Sequence, residues 1–215
     1  WGKQIAAVAD SPPYICLNLG FKGDIRAAGA KASNQWLFNT WDNNVTYWDI
    51  SNPDELPHIL YLSFPSLKDP QHKEGKSQKH TGECVTFLTY DHFTKWEGTS
   101  HQDRQEDYKA LKESIAERIL EQLRTHFPQI MQHLDYYELS TPLTTIDYTQ
   151  ASKGAIYGLA ATPQRFTNKA LRARTPLRNF YMSGVDIASL GVVGGMVSGV
   201  LTAATMKKQL YLKLL

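Results

Sequence analysis

The residues with the clearest chemical potential lie late in the sequence, where glycines recur at regular spacing. Gly191, Gly195 and Gly199 are four residues apart, and Gly194 stands beside them. Residues at this spacing share one face of a helix, so the pattern predicts a stripe almost without side chains. A large group, such as a ligand or a neighbouring helix, can approach such a stripe closely.

A second set of residues precedes the glycines and suggests what that group is. The β-rich run 179–183 leads into Gly184 and Asp186, and a helix is predicted to open at Gly191. A strand, a tight turn and a helix start aim free backbone N–H groups and the positive helix end at an anion. Asp186 can accept hydrogen bonds from sugar-like hydroxyls. Together these features favour a dinucleotide or flavin seat.

Two other interpretations of the same segment stay open. Residues 187–206 carry no charge and are followed by Lys207 and Lys208, which is a pattern that a membrane span can show. However, the run contains four glycines and several Ser and Thr residues instead of dense Leu, Ile and Phe. The other alternative is a buried structural helix whose glycines permit close packing on a sheet.

The elements that would position this segment can be predicted from hydrophobic patterns. The strands expected from β-rich runs are residues 14–21, 58–65, 83–90, 136–140 and 179–183. Runs 58–65 and 83–90 flank a charged loop and are predicted to pair as antiparallel neighbours, with further short strands between residues 21 and 57. We therefore predict an α/β protein: an α+β part with a mixed sheet, followed by the strand and helix of a Rossmann-like domain.

One long helix is predicted over residues 103–126. Its apolar positions fall on one helical face, namely Tyr108, Leu111, Ile115, Ile119 and Leu123. Asp103 and Glu106 have the spacing of a capping arrangement, and Pro128 follows the expected end.

Composition excludes several classes of protein. The 215 residues are 42% hydrophobic and 11% aromatic, which is enough for a real core. A net charge of +2, from 23 basic and 21 acidic residues spread along the chain, gives no field for nucleic acid. Cys16 and Cys84 are far apart and predict neither a disulfide framework nor a thiolate zinc site. The start at Trp1 lacks the build of a signal peptide and suggests a fragment.

Other catalytic classes find little support in the residues. The histidines have no zincin spacing, so no metal site is expected; they are His58, His72, His80, His92, His101, His126 and His133. Ser183 and Ser198 lack the setting of a hydrolase nucleophile. The lysine-rich loop 68–80 could touch anionic lipid headgroups, although a solvated hairpin loop is the simpler interpretation.

Residues 175–186 (TPLRNFYMSGVD) and 191–199 (GVVGGMVSG) resemble the FAD-contacting signature of the phytoene desaturase, carotenoid isomerase and retinol saturase family. Earlier landmarks agree in order: residues 63–70 (SFPSLKDP), 96–98 (WEG), 137–142 (YELSTP) and 154–159 (GAIYGL). The resemblance spans roughly residues 14–206. The signature alone is shared with amine oxidases, so an amine oxidase-like flavoenzyme is an alternative.

The resemblance implies a division of labour along the chain. Residues 1–150 would belong to a substrate-binding domain, and residues 151–215 would complete an FAD-binding domain. The implied cofactor-binding residues are Gly184, Asp186, Gly191, Val192, Val193, Gly194 and Gly195. Pro142, Thr144 and Tyr157 resemble positions near the flavin that contact the substrate, a polyene- or retinoid-like lipid. Four tryptophans either line an apolar tunnel or are ordinary core or surface aromatic residues, namely Trp36, Trp41, Trp48 and Trp96.

The implied chemistry is desaturation, saturation or isomerisation, with the helix start near Gly191 stabilising negative charge on the flavin. The family's GxGxxG, which seats the FAD pyrophosphate, is not found in these 215 residues. This chain alone is therefore expected to bind FAD weakly and to need that N-terminal half. A non-catalytic lipid-binding or membrane-anchored fragment is the remaining alternative. An enzyme of membrane-dissolved polyenes is expected in the cytoplasm or at a membrane surface without spanning it.

Overall fold

A computed structural model describes residues 1–42, 44, 47–100 and 103–207. His101 and Lys208 lie outside the described residues. The chain forms two compact units: a sheet unit, Pro13–Gly154, and a split unit that joins Trp1–Pro12 to Ala155–Leu215. Residues 1–12, which the sequence division assigns to the first domain, thus fold with the last part of the chain. The assignment of these units to substrate and FAD binding stays a prediction.

The described residues of the sheet unit form a sheet of five strands in the order β2-β3-β4-β1-β5. In chain order they are β1 (Tyr14–Lys22), β2 (Gln35–Phe38), β3 (Ile59–Ser63), β4 (Lys79–Phe87) and β5 (Leu134–Ser140). The predicted pairing of the second and third long runs is confirmed, since β3 lies antiparallel to β4. The prediction of a mixed sheet is wrong, because β1 lies between β4 and β5 and is antiparallel to both, so the two parallel strands are not paired. The pairs β2–β3 and β3–β4 are antiparallel as well.

The helices of the sheet unit are α2 (Pro65–Lys68), α3 (Glu106–His126), α4 (Pro128–Met131) and α5 (Pro142–Thr149), with 3₁₀ turns at Tyr90–Trp96 and Ser152–Gly154. The long predicted helix is confirmed as α3, and Ile115, Ile119 and Leu123 on its apolar face are buried. The predicted cap is wrong. Gln105 is the N-cap and makes no side-chain cap bond, so the helix begins two residues later than a cap at Asp103 would place it.

One face of the sheet forms the core with α3. In β1 the buried residues alternate with partly exposed ones, and Ile15, Leu17, Leu19 and Phe21 point into the core. Trp48 and Phe93 are also fully buried in this cluster. The sheet unit therefore has a complete hydrophobic core of its own.

In the described residues of the split unit the helices are α1 (Gly2–Ala6), α6 (Pro163–Thr167) and α7 (Gly191–Met206). The predicted strand at residues 179–183 is wrong. Asn179 lies in a turn with φ of 58°, and Tyr181 forms a single bridging pair with Arg174. A strand needs a neighbour along its length to satisfy its backbone groups, and in the described part of this unit residues 179–183 have only that pair.

Candidate functional site

The predicted helix at the glycine-rich segment is confirmed as α7, but its packed face is not the predicted stripe. Gly194 and Ser198 are the buried residues of α7, whereas Gly199 is exposed. A Cβ added to Gly194 would overlap the carbonyl oxygen of Ser189, so only glycine allows the helix to lie against its own preceding loop. Gly191 and Gly199 have no neighbour within 4 Å of such a Cβ. The close approach is therefore made at Gly194 and involves the chain itself.

Ser198 and Thr202 bind the segment that precedes α7. The Gly184 N–H donates a hydrogen bond to Ser198 Oγ over 2.8 Å, and Thr202 Oγ1 donates to the Met182 carbonyl over 2.9 Å. Gly184 has φ of 115°, which is a conformation that favours glycine. The turn at residues 182–184 is thus fixed on the helix, and the Gly184 N–H already has a partner.

Asp186 lies in a network with a buried arginine. Its Oδ1 accepts a hydrogen bond from the Leu159 N–H over 2.9 Å and is 3.9 Å from Nη2 of Arg165. Arg165 is 2% exposed and donates to the carbonyls of Leu159 and Val185. The Asp186 side chain is 39% exposed, so one side of the carboxylate faces solvent while the other fixes the loop.

The first turn of α7 is open. Its N-cap, Leu190, makes no side-chain cap bond, and the turn contains no acidic residue. Gly191 has φ of 74°, and Val192 and Val193 are 81% and 72% exposed. The amide N–H groups at a helix start have no partner within the helix and carry the positive end of its dipole. This turn therefore offers an accessible, electropositive surface.

Pro142 and Thr144 lie in the first turn of α5, in the sheet unit. Thr141 and Thr144 form a capping box: the Thr144 N–H donates to Thr141 Oγ1, and the Thr141 N–H donates to Thr144 Oγ1. Pro142 is buried, and Gly154 with φ of 67° packs directly over it. The contacts of both residues are those of a helix start, and their proposed contact with substrate stays a prediction.

Tyr157 belongs to the split unit. Its backbone N–H donates to Ser11 Oγ over 2.9 Å, and its side chain is 42% exposed. The ring is thus accessible to a ligand, and its predicted substrate role also stays a prediction.

The tryptophans differ in their surroundings. Trp48 is fully buried, and its indole N–H donates to the Glu55 carbonyl. Trp36 is 55% exposed on β2, where its ring centroid lies 4.8 Å from that of Tyr61 and 6.4 Å from that of Phe38. Trp41 is wholly exposed. Of this group, Trp36 lies in an accessible aromatic cluster, while Trp48 is a core residue.

The cysteines are free thiols in the sheet unit. Burial, with a smaller contribution from the Glu83 carboxylate, raises the pKa of Cys16 to about 12. Burial also raises the pKa of Cys84 well above its ordinary value. Neither thiol is therefore a nucleophile at neutral pH.

The structure bears on two of the alternatives, a metal site and a membrane-spanning helix. Within the described ranges, no group of three or more His, Cys, Asp or Glu side chains is arranged to hold a metal ion. Among the helices of those same ranges, none has both the length and the apolar character needed to cross a bilayer.

Sequence reasoning missed the residues that hold this region together. Arg165 and Ser198 are both buried, and each binds the segment that contains Gly184 and Asp186. The i, i+4 spacing of Gly194 and Ser198 was a readable signal for the packed face. No local pattern marks Arg165, because its partners lie six and twenty residues away.

Comparison with known proteins gives a consistent set of relatives. No protein-family model matches the chain. All-trans-retinol 13,14-reductase from Danio rerio is 29% identical over 95% of the chain, and the protein of that name from Rattus norvegicus is 30% identical over 97%. An inactive all-trans-retinol 13,14-reductase from Danio rerio is 27% identical over 99%. The chain spans about a third of the length of these relatives, 35–36% in each case.

Proposed function

Because this chain belongs to the family of the all-trans-retinol 13,14-reductases, we propose that it is part of a flavin-dependent oxidoreductase of retinoid-like lipids. The open first turn of α7 is the observation that carries the cofactor part of the proposal. FAD has an anionic pyrophosphate and gains negative charge on its flavin when it is reduced, and a helix start can stabilise such charge.

The residues around α7 fit an FAD in part. The exposed first turn, Gly191 to Val193, has an electropositive end and no side-chain cap that would compete with a ligand. Asp186 can accept a hydrogen bond from a ribityl or neighbouring hydroxyl, because its side chain is 39% exposed. Gly184 cannot offer its N–H, which Ser198 already accepts. Its role is to let the backbone turn tightly beside the ligand.

When bound, FAD supplies hydride and electron transfer, which no side chain described above provides. The chain's own residues would bind the cofactor and orient it. Ser198, Thr202 and Arg165 hold the loop before α7 in one conformation, so Asp186 and the helix start are fixed before the ligand arrives. Such preorganisation reduces the conformational entropy that the loop loses when a ligand binds.

The pyrophosphate of the cofactor needs groups that these residues do not supply. No GxGxxG is present in the sequence, and the relatives are about three times as long as the chain. We therefore assign the pyrophosphate seat to the rest of such a protein. The Rossmann-like domain would form from both parts, which would give residues 179–183 the neighbouring strand that they require.

A retinoid-like substrate is consistent with the aromatic cluster of the sheet unit. Trp36, Phe38 and Tyr61 form an accessible apolar surface, with Trp36 and Phe38 more than half exposed. Apolar ligands are bound mainly by such side chains. The relatives reported above are named for retinol, which favours this proposal over amine oxidation. A peripheral membrane contact through loop 68–80 would bring the substrate to the protein.

The cofactor assignment is tested with Val192→Glu in the whole protein that contains this chain. A carboxylate in the first turn stabilises the helix itself, yet its charge and bulk oppose a flavin whose carbonyl-bearing pyrimidine edge lies at the same place. We expect the purified variant to lose most of its flavin absorbance, while its flavin-free form unfolds at the same temperature as the flavin-free parent or at a higher one. Val200→Glu is the matched control, because Val200 is exposed two turns further along α7. Equal flavin content in both variants would contradict the assignment.

Asp186→Ala tests the second contact. The variant is expected to retain less flavin, because a hydroxyl of the cofactor loses its acceptor. Asp135→Ala, which removes an exposed carboxylate paired with Lys22, is the control. Unchanged flavin content in Asp186→Ala would remove Asp186 from the site.

A second candidate function is a non-catalytic member of the same family, which the inactive relative from Danio rerio favours. Such a protein would bind flavin or retinoid without turnover. A flavin-containing preparation that leaves all-trans-retinol unchanged under reducing conditions would support this candidate over the enzyme.

A further inference from the structure

The net charge of the whole sequence is close to zero, but basic and acidic residues are distributed unequally between the two units. The split unit contains nine Lys and Arg residues against two acidic residues, Asp10 and Asp186. The sheet unit contains fourteen basic and nineteen acidic residues. The even distribution predicted from the sequence is therefore wrong at the level of the fold. An excess of cations attracts anionic ligands.

Part of this basic charge lines one cavity of the split unit. The cavity has a volume of about 570 Å³, and its walls include Lys169, Arg172, Arg174 and Trp1. No Asp or Glu lies among its lining residues. The volume is in the range of sites for small organic ligands, roughly 300–1,000 Å³. An anion that enters meets three positive side chains and no compensating carboxylate.

These cations are available to a ligand. Lys169 and Arg172 are exposed. Among the ion pairs in the described part of the chain, none includes Lys169, Arg172 or Arg174. Arg174 uses one N–H to bond the Thr205 carbonyl at the end of α7, which holds its guanidinium in place. Guanidinium groups match phosphate oxygens in geometry and keep their charge at all physiological pH values.

Trp1 gives the cavity a flat apolar wall. Its indole N–H donates to the Ala170 carbonyl over 3.0 Å, and its ring meets Phe180 edge-on at 6.5 Å. Both contacts hold the ring, which remains 36% exposed. A fixed aromatic face beside cations suits a ligand that carries both a ring and a phosphate, because bases stack on aromatic side chains.

We propose that this cavity binds a nucleotide, with Lys169, Arg172 and Arg174 on the phosphates and Trp1 against the base. The site is separate from the first turn of α7 and does not depend on the flavin proposal. It provides a place for a soluble nucleotide on a protein whose relatives are named reductases.

The test is calorimetric titration of the whole protein with adenosine 5′-diphosphate, with inorganic pyrophosphate as a competitor. We expect binding that weakens with added salt, and at least about a tenfold loss of affinity in the double variant Lys169→Gln, Arg172→Gln, since two charge-assisted contacts are removed. Arg178→Gln is the matched control, because Arg178 is an exposed arginine outside the cavity. It should leave the affinity within about twofold.

A Trp1→Leu variant tests the aromatic wall separately. It should weaken adenosine diphosphate binding by roughly fivefold or more while pyrophosphate binding is kept, because stacking requires the base. Flavin absorbance is recorded in the same samples, and an unchanged flavin content would show that the variant affects the cavity and not the α7 site. If the double variant binds adenosine diphosphate as tightly as the unchanged protein, the proposal is wrong. It is also wrong if vesicles containing phosphatidylserine bind the cavity residues and the nucleotide does not compete.

Discussion

The two units of this chain bury different kinds of side chain. The whole hydrophobic cluster, from Ile15 to Leu143, belongs to the sheet unit. The split unit buries mostly small or polar residues such as Ala173, Arg165 and Ser198, with Leu171 and Val8 as larger apolar exceptions. Many of its large apolar side chains are exposed instead, and these include Phe166, Leu177, Phe180, Val192, Val193, Met196 and Met206.

This difference shows which unit is stabilised by its own residues. Apolar burial is the main favourable contribution to folding, so the sheet unit has the larger share of it. The split unit depends on specific hydrogen bonds and presents an apolar helix and a basic surface outward. A contiguous exposed apolar surface marks a place of interaction. The exposed apolar residues of α7 are what the proposed flavin seat requires of the split unit.

The largest effect is expected from truncating the core of the sheet unit. Ile119→Ala should destabilise the 215-residue chain by about 2–5 kcal/mol, because Ile119 is fully buried. Val193→Ala on α7 should change stability by less than about 0.5 kcal/mol, because that side chain is 72% exposed. Denaturant unfolding of both variants checks the comparison. Similar losses in the two variants would mean that the apolar face of α7 is not open.

Arg165→Ala tests the polar contacts of the split unit. The variant leaves the carbonyls of Leu159 and Val185 without their donor, which should cost roughly 2–3 kcal/mol. We expect faster hydrogen exchange at the Leu159 amide and unchanged exchange at Leu17 in the sheet. Arg178→Ala, at an exposed arginine, is the control. Uniformly faster exchange in both units would show that the split unit has no independent stability.

The packing of α7 is tested by a pair of glycine substitutions of opposite expected sign. Gly194→Ala should destabilise by about 1–3 kcal/mol, because the new methyl group overlaps the Ser189 carbonyl oxygen. Gly199→Ala should stabilise by up to about 1 kcal/mol, because it has space and alanine favours helix. Thermal unfolding gives both values. A loss at Gly199 instead of Gly194 would restore the stripe predicted from the sequence.

The smallest effect concerns a buried polar residue of the sheet unit. His80 lies 3.4 Å from Ser66 Oγ through Nδ1 and 3.8 Å from Glu74 Oε1 through Nε2. Burial lowers the pKa of His80 below 6.5, with Glu74 opposing the shift and His72 and Arg26 adding to it. The folded state then binds fewer protons than the unfolded state, so stability falls as the pH drops through about 6.5.

Replacing this histidine should remove part of that pH dependence. His80→Gln is expected to flatten the decrease in unfolding free energy between pH 7 and pH 5, measured with denaturant at each pH. His126→Gln, at an exposed histidine on α3, should leave the decrease as it is. Equal curves for the two variants would show that His80 is not the group responsible.

Sequence patterns predicted the parts of the fold that depend on local periodicity. The alternating β1 and the apolar face of α3 were both readable, because side-chain position follows directly from strand and helix geometry. The antiparallel pair β3–β4 was predicted, but the order of the whole sheet was not readable, since it depends on pairing between distant segments. The expected strand at residues 179–183 failed for the same reason: its β-rich composition is real, but pairing along its length is not available in the described residues.

For the candidate site, sequence patterns predicted α7 and singled out Asp186, but they did not predict the residues that hold α7 and Asp186 in place. Arg165 and Ser198 are ordinary residues in the sequence, and only the folded chain brings them to the Gly184–Asp186 turn. The charge separation was readable in the sequence but was missed, because residues 155–215 alone contain eight Lys and Arg residues against one acidic residue, Asp186.

Whether the split unit forms part of a flavin seat can be decided from the absorption spectrum of the whole protein that contains this chain, taken after gel filtration. We expect flavin bands that co-elute with the folded protein and are lost in Val192→Glu. A folded whole protein without flavin bands, even after incubation with FAD, would contradict it.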